Sequence, residues 1–427
     1  MIDIKLIREN KDLVKQNIKR KFQDHKLEIV DQIFEIDKQY RQLKSNNDEL
    51  RKERNEKSSL IGELVRNKDF ELVEKIKLEV QEINNKLNLN EKEEFELEND
   101  IENKMMIIPN IIDESVPIGK DSNENVELER FGEVKNFNYE IPYHADILEK
   151  LNGLDKESAG KTSGNGFYYL TGDIALLHSA ILSYAREFMI KKGFTYCIPP
   201  FMIRGSVVSG VMSFEEMNNM MYKIENEDLY LIGTSEHSMI GRYIDQIIEY
   251  DKAPIKMTSY SPCFRKEVGA HGIEERGIYR IHQFEKQEMI VICDPKDAMD
   301  FYNKMWNYTV EFFRTLEIPV RTLECCSGDL ADLKIKSVDV EAWSPRQQKY
   351  FEVGSCSNLG EAQARRLNIK IRKDNDKYFA YTLNNTVVAP PRMLIAFIEN
   401  NYNEDGSINI PEVLRPYMLN KSKISVN

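Results

Sequence analysis

A chain of 427 residues with 41% hydrophobic side chains is long enough to bury a substantial core and points to two domains. Its 71 acidic against 59 basic residues leave a formal net charge of -12, which excludes a protein that coats nucleic acid non-specifically; a polyanion must be gripped by a local basic surface. The N-terminal segment MIDIKLIREN is charged from its third residue and lacks the apolar core of a secretion signal. No apolar run approaches the roughly 20 residues that span a bilayer, so no membrane partner is expected. The six cysteines, Cys197, Cys263, Cys293, Cys325, Cys326 and Cys356, form no C-x-x-C pair, and the histidines are scattered. That spacing suits neither a zinc site nor a disulfide framework, and implies a reducing cytoplasm with no zinc.

Residues 1–108 contain no proline and a single glycine, Gly62. A short helix is expected over 7–22. Apolar residues then recur at alternating intervals of four and three, through Ile29, Ile33, Ile36, Tyr40, Leu43, Leu50, Ile61 and Leu64. A second stripe runs through Leu72, Ile76, Val80, Ile83, Leu87, Leu97 and Ile101. This is coiled-coil spacing. The short break at 67–69 predicts an antiparallel hairpin of two helices, each roughly 35–38 residues and about 55 Å long. Asn47, Arg54 and Asn90 fall on the seam and thin it. Arg41, Lys44, Arg51, Lys52, Arg54, Lys57, Arg66 and Lys68 are interleaved with Asp48, Glu49, Glu53 and Glu56, which by charge alone reads as a solvated face.

The second domain runs over 109–427, with the composition of a mixed enzyme from about Phe137 onward. Helix periodicity covers 173–192, 236–250 and 297–316. Strand-like runs cover 229–233, 257–264, 277–292, 318–324, 349–353 and 378–383. Runs of strands with helices around them predict an α+β fold, an antiparallel β-sheet flanked by helices.

Chemistry concentrates first in Cys263-Phe264-Arg265-Lys266-Glu267 and Gly277-Ile278-Tyr279-Arg280-Ile281-His282-Gln283-Phe284-Glu285, two strand-like segments joined by a loop holding Gly269, Gly272 and Gly277. On a strand, residues two apart share a face. Arg265 and Glu267 can therefore bind a phosphate and an exocyclic amine together, while Arg280 and Phe284 offer a second phosphate clamp and a stacking ring. The plain alternative is an exposed, salt-bridged hairpin.

The F-R-x-E hairpin resembles motif 2 of the class II aminoacyl-tRNA synthetases, and G-I-Y-R-I-H-Q-F-E-K-Q-E resembles the seryl branch. Motif 1 is matched by the helix before Gly193 and by Gly193-Phe194-Thr195-Tyr196-Cys197-Ile198-Pro199-Pro200. Motif 3 is matched by Leu383-Asn384-Asn385-Thr386-Val387-Val388-Ala389-Pro390-Pro391-Arg392 and the apolar segment 393–399. Gly166-Phe167-Tyr168-Tyr169-Leu170, Thr234-Ser235-Glu236 and Glu352-Val353-Gly354-Ser355-Cys356-Ser357-Asn358 also fit the seryl pattern. The resemblance covers essentially the whole chain. It departs from the wider class at motif 3, where few glycines precede the arginine.

The resemblance implies activation of L-serine with ATP and transfer to the 3′ end of tRNA(Ser), with tRNA(Sec) a further candidate. Arg265 would hold the α-phosphate and the serine carboxylate and neutralise charge building on phosphorus. Glu267 would accept from the adenine amino group and Phe284 would stack on the ring, with Lys266 and Ile281 beside them. Arg280 and Arg392 would grip the β,γ-phosphates, Arg392 at a helix N-terminus. Glu352 and Ser355 would supply oxygens to Mg²⁺, alongside Val353 and Gly354 at the nucleotide. Thr234, Ser235 and Glu236 would receive the serine ammonium, and Glu288, Asn384 and Thr386 would surround its side chain. A site bonding that hydroxyl rejects alanine strongly, whereas threonine's extra methyl is worth only about 1–3 kcal/mol. Glu288 could instead be an ordinary strand carboxylate, His282 a structural hydrogen-bonder and Cys356 a packing residue. The resemblance also implies that the N-terminal hairpin recognises tRNA by shape and backbone and that motif 1 builds a homodimer. Two other readings stay open: a ligase that loads an amino acid onto a carrier protein, which would lack the arm, and a non-catalytic paralogue, which would have lost Arg265, Glu352 or Arg392.

Overall fold

The computed structural model describes residues 1–267 and 277–426, apart from the side chain of Glu215. Gly269 and Gly272 of the expected loop lie outside the described residues. The chain divides into two compact units, Ile2–Pro109 and Asn110–Asn427 with Met1.

In the first unit, helix α1 spans Ile4–Arg20, α2 Leu27–Arg66 and α3 Phe70–Met105. The chain reverses through Lys68, whose φ of 65° is left-handed, and the Asp69 carboxylate caps α3 by accepting from Leu72 N at 3.3 Å. Partners rise along α2 as they fall along α3 (Asn47 with Glu94, Arg51 with Glu91, Lys57 with Glu79), so the two helices are antiparallel. Val30, Ile33, Val73, Ile76, Ile83 and Leu87 are buried along the seam. Leu72, expected there, is 38% exposed, because as a first-turn residue it yields the seam to Val73. Asn47 is fully buried; it donates to Glu94 at 2.9 Å and accepts from Asn90 at 2.8 Å. Deeper in the unit, the buried Asp37 carboxylate accepts from Arg8 at 2.6 and 2.9 Å and from Arg41 at 2.9 Å.

The second unit is built on one eight-stranded sheet. Its strands are β1 (Val126–Phe131), β2 (Thr195–Cys197), β3 (Ile255–Phe264), β4 (Gln283–Cys293), β5 (Val320–Glu324), β6 (Lys336–Ser344), β7 (Lys349–Asn358) and β8 (Tyr381–Val388). Their order is β1-β5-β6-β7-β8-β4-β3-β2, antiparallel throughout except for the β2–β3 edge. Helices α4 (Gly172–Lys191), α7 (Ala298–Thr315) and α8 (Pro390–Asn401) pack on one face. There they share an apolar core with Met289, Val291, Val338, Val340, Leu383 and Val387. The opposite face is divided between polar residues and a second apolar cluster, in which Met257, Ile290 and Ile292 pack with Ile240 and Ile371. Two short helices flank that side, α5 (Phe214–Met220) and α6 (Ser235–Gly241).

Three expectations need correction. The helix expected over 236–250 stops at Gly241, and Ile247–Glu249 is a strand paired in parallel with Lys370–Lys373. The strand expected over 277–292 begins only at Gln283, so Arg280 lies in the turn before it. The run expected over 378–383 is two strands, Asp376–Phe379 and Tyr381–Val388, and Lys336–Ser344 is a strand that the sequence reading did not single out.

Asp37→Ala strands Arg8 and Arg41 without their shared carboxylate. It should lower the stability of the helical unit by about 1–3 kcal/mol, read as faster amide exchange in α2 and α3 with exchange in the sheet unchanged.

Candidate active site

The polar part of the sheet's second face floors a cleft of about 1090 Å³. Strand alternation explains which residues enter it. On β4, Phe284, Lys286 and Glu288 face the cleft, while Met289 and Val291 join the core. On β8, Asn384 and Thr386 face it, while Asn385 turns back and donates to the Met305 carbonyl of α7 at 2.7 Å. Thr386 lies directly opposite Glu288 in the β8–β4 register.

Glu352 and Ser355 are three apart, and on a regular strand they would face opposite ways. A bulge brings them together: Gly354 pairs with Val340 but Glu352 pairs with Glu341, leaving Val353 extra. Both then line the cleft with Val353 and Gly354. A Cβ on Gly354 would lie 3.3 Å from the Thr386 carbonyl, so a bare backbone suits this crossing.

Arg265 follows the end of β3. Its Nε donates to the Gly233 carbonyl at 3.1 Å and its guanidinium stacks on Phe284 at 5.2 Å. His282 braces it: Arg265 N donates to the His282 carbonyl at 2.8 Å, and His282 Nδ1 lies 3.0 Å from the Arg265 carbonyl. Glu267, beyond the strand with a left-handed φ of 48°, lies 3.8 Å from Arg280. Both line the cleft with Ile281. Lys266 turns away, its Nζ 3.5 Å from the Asn218 carbonyl. Arg392 stands inside the first turn of α8 rather than before it, because Pro390 and Pro391 start that helix without needing their N–H groups. It donates to Glu352 Oε2 at 2.8 Å and stacks on Tyr279 at 4.7 Å. Burial pushes the Glu352 carboxyl up, but Arg392, Lys334 and Arg265 together hold it below the usual range.

The inner end is drier. Thr234 donates to Glu288 Oε2 at 3.2 Å, and Lys286 is ion-paired with the same oxygen. Glu236 accepts from Gln363 at 2.7 Å. Burial first, then the neighbouring Glu288, raise its carboxyl to about 7 against Gln363, Lys286 and Asn384. His237 is lowered to about 3 by burial, Arg265 and Lys286, and is neutral. Ser235 is fully buried and does not line the cleft. Cys356 packs beneath the sheet, 3.7 Å from the Tyr302 carbonyl, its thiol pushed well up by burial.

Lys286, Gln363, Lys334 and Asp339 were missed by sequence reasoning. Lys334 Nζ donates to Ser337 at 3.3 Å, and Ser337 lies 3.2 Å from Ser355. Burial and Glu352 push Asp339 up to about 6, against Lys334 and hydrogen bonds from Ser355 and Cys325. For Lys286 a signal existed, since it lies two residues from Glu288 on one strand. Asp339, Lys334 and Gln363 come from segments that no motif marked.

A two-ended cleft of this kind, on an antiparallel sheet of this order, defines a class II aminoacyl-tRNA synthetase core. The family model described as tRNA synthetase class II core domain (G, H, P, S and T) matches residues 220–401, and the Seryl-tRNA synthetase N-terminal domain model matches residues 1–112. The serine–tRNA ligase of Methanospirillum hungatei is 39% identical over 424 residues, covering 99% of each chain. That of Thermococcus sibiricus is 40% identical over 439 aligned positions, 98% of this chain and 96% of that one. The structure of seryl-tRNA synthetase from Pyrococcus horikoshii complexed with ATP superposes with a TM-score of 0.95 at 38% identity, covering both chains fully. Cytoplasmic serine–tRNA ligase from Naegleria fowleri, in complex with AMP, gives 0.90 at 29%, covering 100% of this chain and 99% of that one. The chain belongs to the seryl-tRNA synthetases, enzymes that join serine to tRNA.

With Glu236 raised from 4.5 to about 7, the empty enzyme binds an extra proton on folding between those values, so its stability falls as pH rises through that window. Glu236→Gln should stabilise the unliganded catalytic unit by roughly 2–4 kcal/mol at pH 8 and by almost nothing at pH 4.5, measured by urea unfolding.

Proposed function

We propose that the cleft makes seryl-adenylate from L-serine and ATP and then presents it to the 3′-terminal ribose of tRNA(Ser). The observation that carries this reading is the polarity of one cavity: Arg265, Arg280 and Arg392 at one end, and the Glu236–Glu288 carboxylates at the other. The first end suits a triphosphate and the second an amino acid with an ammonium and a hydroxyl.

The serine carboxylate attacks the α-phosphorus, and the bond to the bridging oxygen of pyrophosphate breaks. No protein nucleophile is needed. Arg265, stacked on Phe284 and braced by His282, touches both the α-phosphate and the serine carboxylate, and it stabilises the added charge in the transition state. Phe284 carries the adenine and Glu267 accepts from its amino group. Arg280 and Arg392 hold the β,γ-phosphates. Glu236 and Thr234 take the ammonium, and Glu288 with Thr386 takes the hydroxyl. The seryl-tRNA synthetase from Pyrococcus horikoshii was solved with ATP, which supports the nucleotide half of this assignment.

Mg²⁺ fits the donor set that the bulge assembles, a Glu352 carboxylate and a Ser355 hydroxyl, both hard oxygens. Those two residues would hold it, and it would supply charge neutralisation at the phosphates. Zinc has no part in this reading.

The helical unit is assigned to tRNA recognition, supported by its match to the N-terminal domain model. Arg51 and Lys57 are ion-paired within the hairpin, whereas Arg66, near the turn, donates only to the Gly62 carbonyl among the described residues. Homodimerisation through the motif 1 segment is supported by an apolar hollow of about 440 Å³ lined by Cys197, Ile198, Pro199, Pro200 and Met202. Ile198 is 68% and Met202 48% exposed there. No helix among the described residues is long and apolar enough to cross a membrane, and we place the enzyme in the cytoplasm.

Amino-acid-dependent ATP–pyrophosphate exchange, without tRNA, tests the reading. Serine should support exchange, alanine and glycine should not, and threonine should be the best of the poor substrates. Exchange with none of them by folded enzyme in Mg²⁺ would sink it. Arg392→Ala should lower exchange about 10²–10³-fold. Deleting residues 30–100 should spare exchange and abolish charging of tRNA, and normal charging by that variant would remove the arm's assigned role.

A further inference from the structure

Glu236, half-buried, and Glu288, buried, give the amino-acid end two carboxylates for a substrate that brings one ammonium. Lys286 resolves the mismatch. It lies two residues before Glu288 on β4, so both side chains leave the same face of the strand. The two are ion-paired through Glu288 Oε2, with side chains only 8% and 2% exposed. Thr234 donates to that same oxygen at 3.2 Å. Lys286 also acts on Glu236, whose proton affinity it lowers.

We propose that Lys286 is a specificity-determining positioning residue: it occupies Glu288, leaving Glu236 as the single receptor for the substrate's ammonium and Glu288 as the acceptor that reads the hydroxyl. The inference rests on the placement of serine given above. With Lys286 paired to Glu288, Glu236 is held by neutral groups among the described residues, and its carboxylate form is the complement of one ammonium. Remove the lysine and the pocket presents two carboxylates without a cation, either of which can take the ammonium. The amino acid then has two orientations, only one of which delivers its carboxylate to Arg265. A pocket with two uncompensated carboxylates also fits a different ligand, an amino acid whose hydroxyl is replaced by a second ammonium. L-2,3-diaminopropionate is that molecule.

The test is pyrophosphate exchange by the full chain with serine, alanine and L-2,3-diaminopropionate. In Lys286→Met, KM for serine should rise and the serine-over-alanine preference should fall at least about tenfold, with KM for ATP changed by less than about twofold. Exchange with L-2,3-diaminopropionate, absent from the wild type, should appear. That gain is something a merely structural lysine would not produce. An unchanged serine-over-alanine preference together with no activity on the diamine overturns the proposal. Glu288→Gln separates it from the reading beneath it: if that variant keeps the preference, the placement of the hydroxyl is wrong; if it loses the preference and Lys286→Met does not, only the role of Lys286 fails. Should Lys286→Met not fold, Lys286→Met/Glu288→Gln, uncharged at both positions, must fold and exchange serine without accepting the diamine. Failure of both variants to fold makes the pair purely structural and overturns the proposal.

Discussion

The central strands of the second unit are covered on both faces, and alternation of side chains means that each strand must serve two environments at once. Met289 and Val291 feed the core under α4, α7 and α8, while Phe284, Lys286 and Glu288 of the same strand face the cleft. Lys286 and Glu288 have given up most of their water there and persist only as partners, and the other carboxylates of the cleft are partly desolvated and also held. Much of the cleft's geometry follows from this requirement. Glu288 is answered by Lys286 and Thr234, Glu352 by Arg392, and Glu236 by the amides of Gln363 and Asn384.

These pairings are incomplete in a useful way. Among the described residues Arg265 is oriented by the Gly233 carbonyl and by Phe284 rather than by an ion pair with a carboxylate. Glu236 is held by neutral groups, and burial and the neighbouring Glu288 raise its proton affinity. On the proposed placement of serine, its ammonium and its carboxylate complete both. The binding site is thus preorganised by what the protein leaves unpaired, and little reorganisation is left for the moment of reaction.

The helical unit obeys the same rule with a different balance. Its seam buries Val30 and Ile33 on one side of the Asn47–Asn90–Glu94 cluster and Ile83 and Leu87 on the other, toward the turn. A polar group at such a position lowers stability but penalises any shift of one helix along the other, because a slip would leave Asn47 buried without partners. Asp37, pinned by Arg8 and Arg41, ties α1 to α2 by the same logic.

The sequence by itself pointed to a helical hairpin followed by a sheet domain and to a set of the residues that line the cleft, because those depend on local properties. The 3-4 spacing of the hairpin, the turn at 67–69, and the residue types of F-R-x-E and T-S-E are all readable along the chain. It did not determine how Glu352 and Ser355 come to share a face, since a bulge is a property of two paired strands. Nor could it bring in Lys334 and Asp339, which line the cleft, or Gln363, which holds Glu236 from behind it. It also placed Lys266 and Ser235 with their neighbours, whereas the fold turns one outward and buries the other. The balance of charge among Glu236, Glu288 and Lys286 belongs to the tertiary structure too. Desolvation and Coulomb interactions act through space, and only the packed sheet decides which groups are neighbours and how much water they retain.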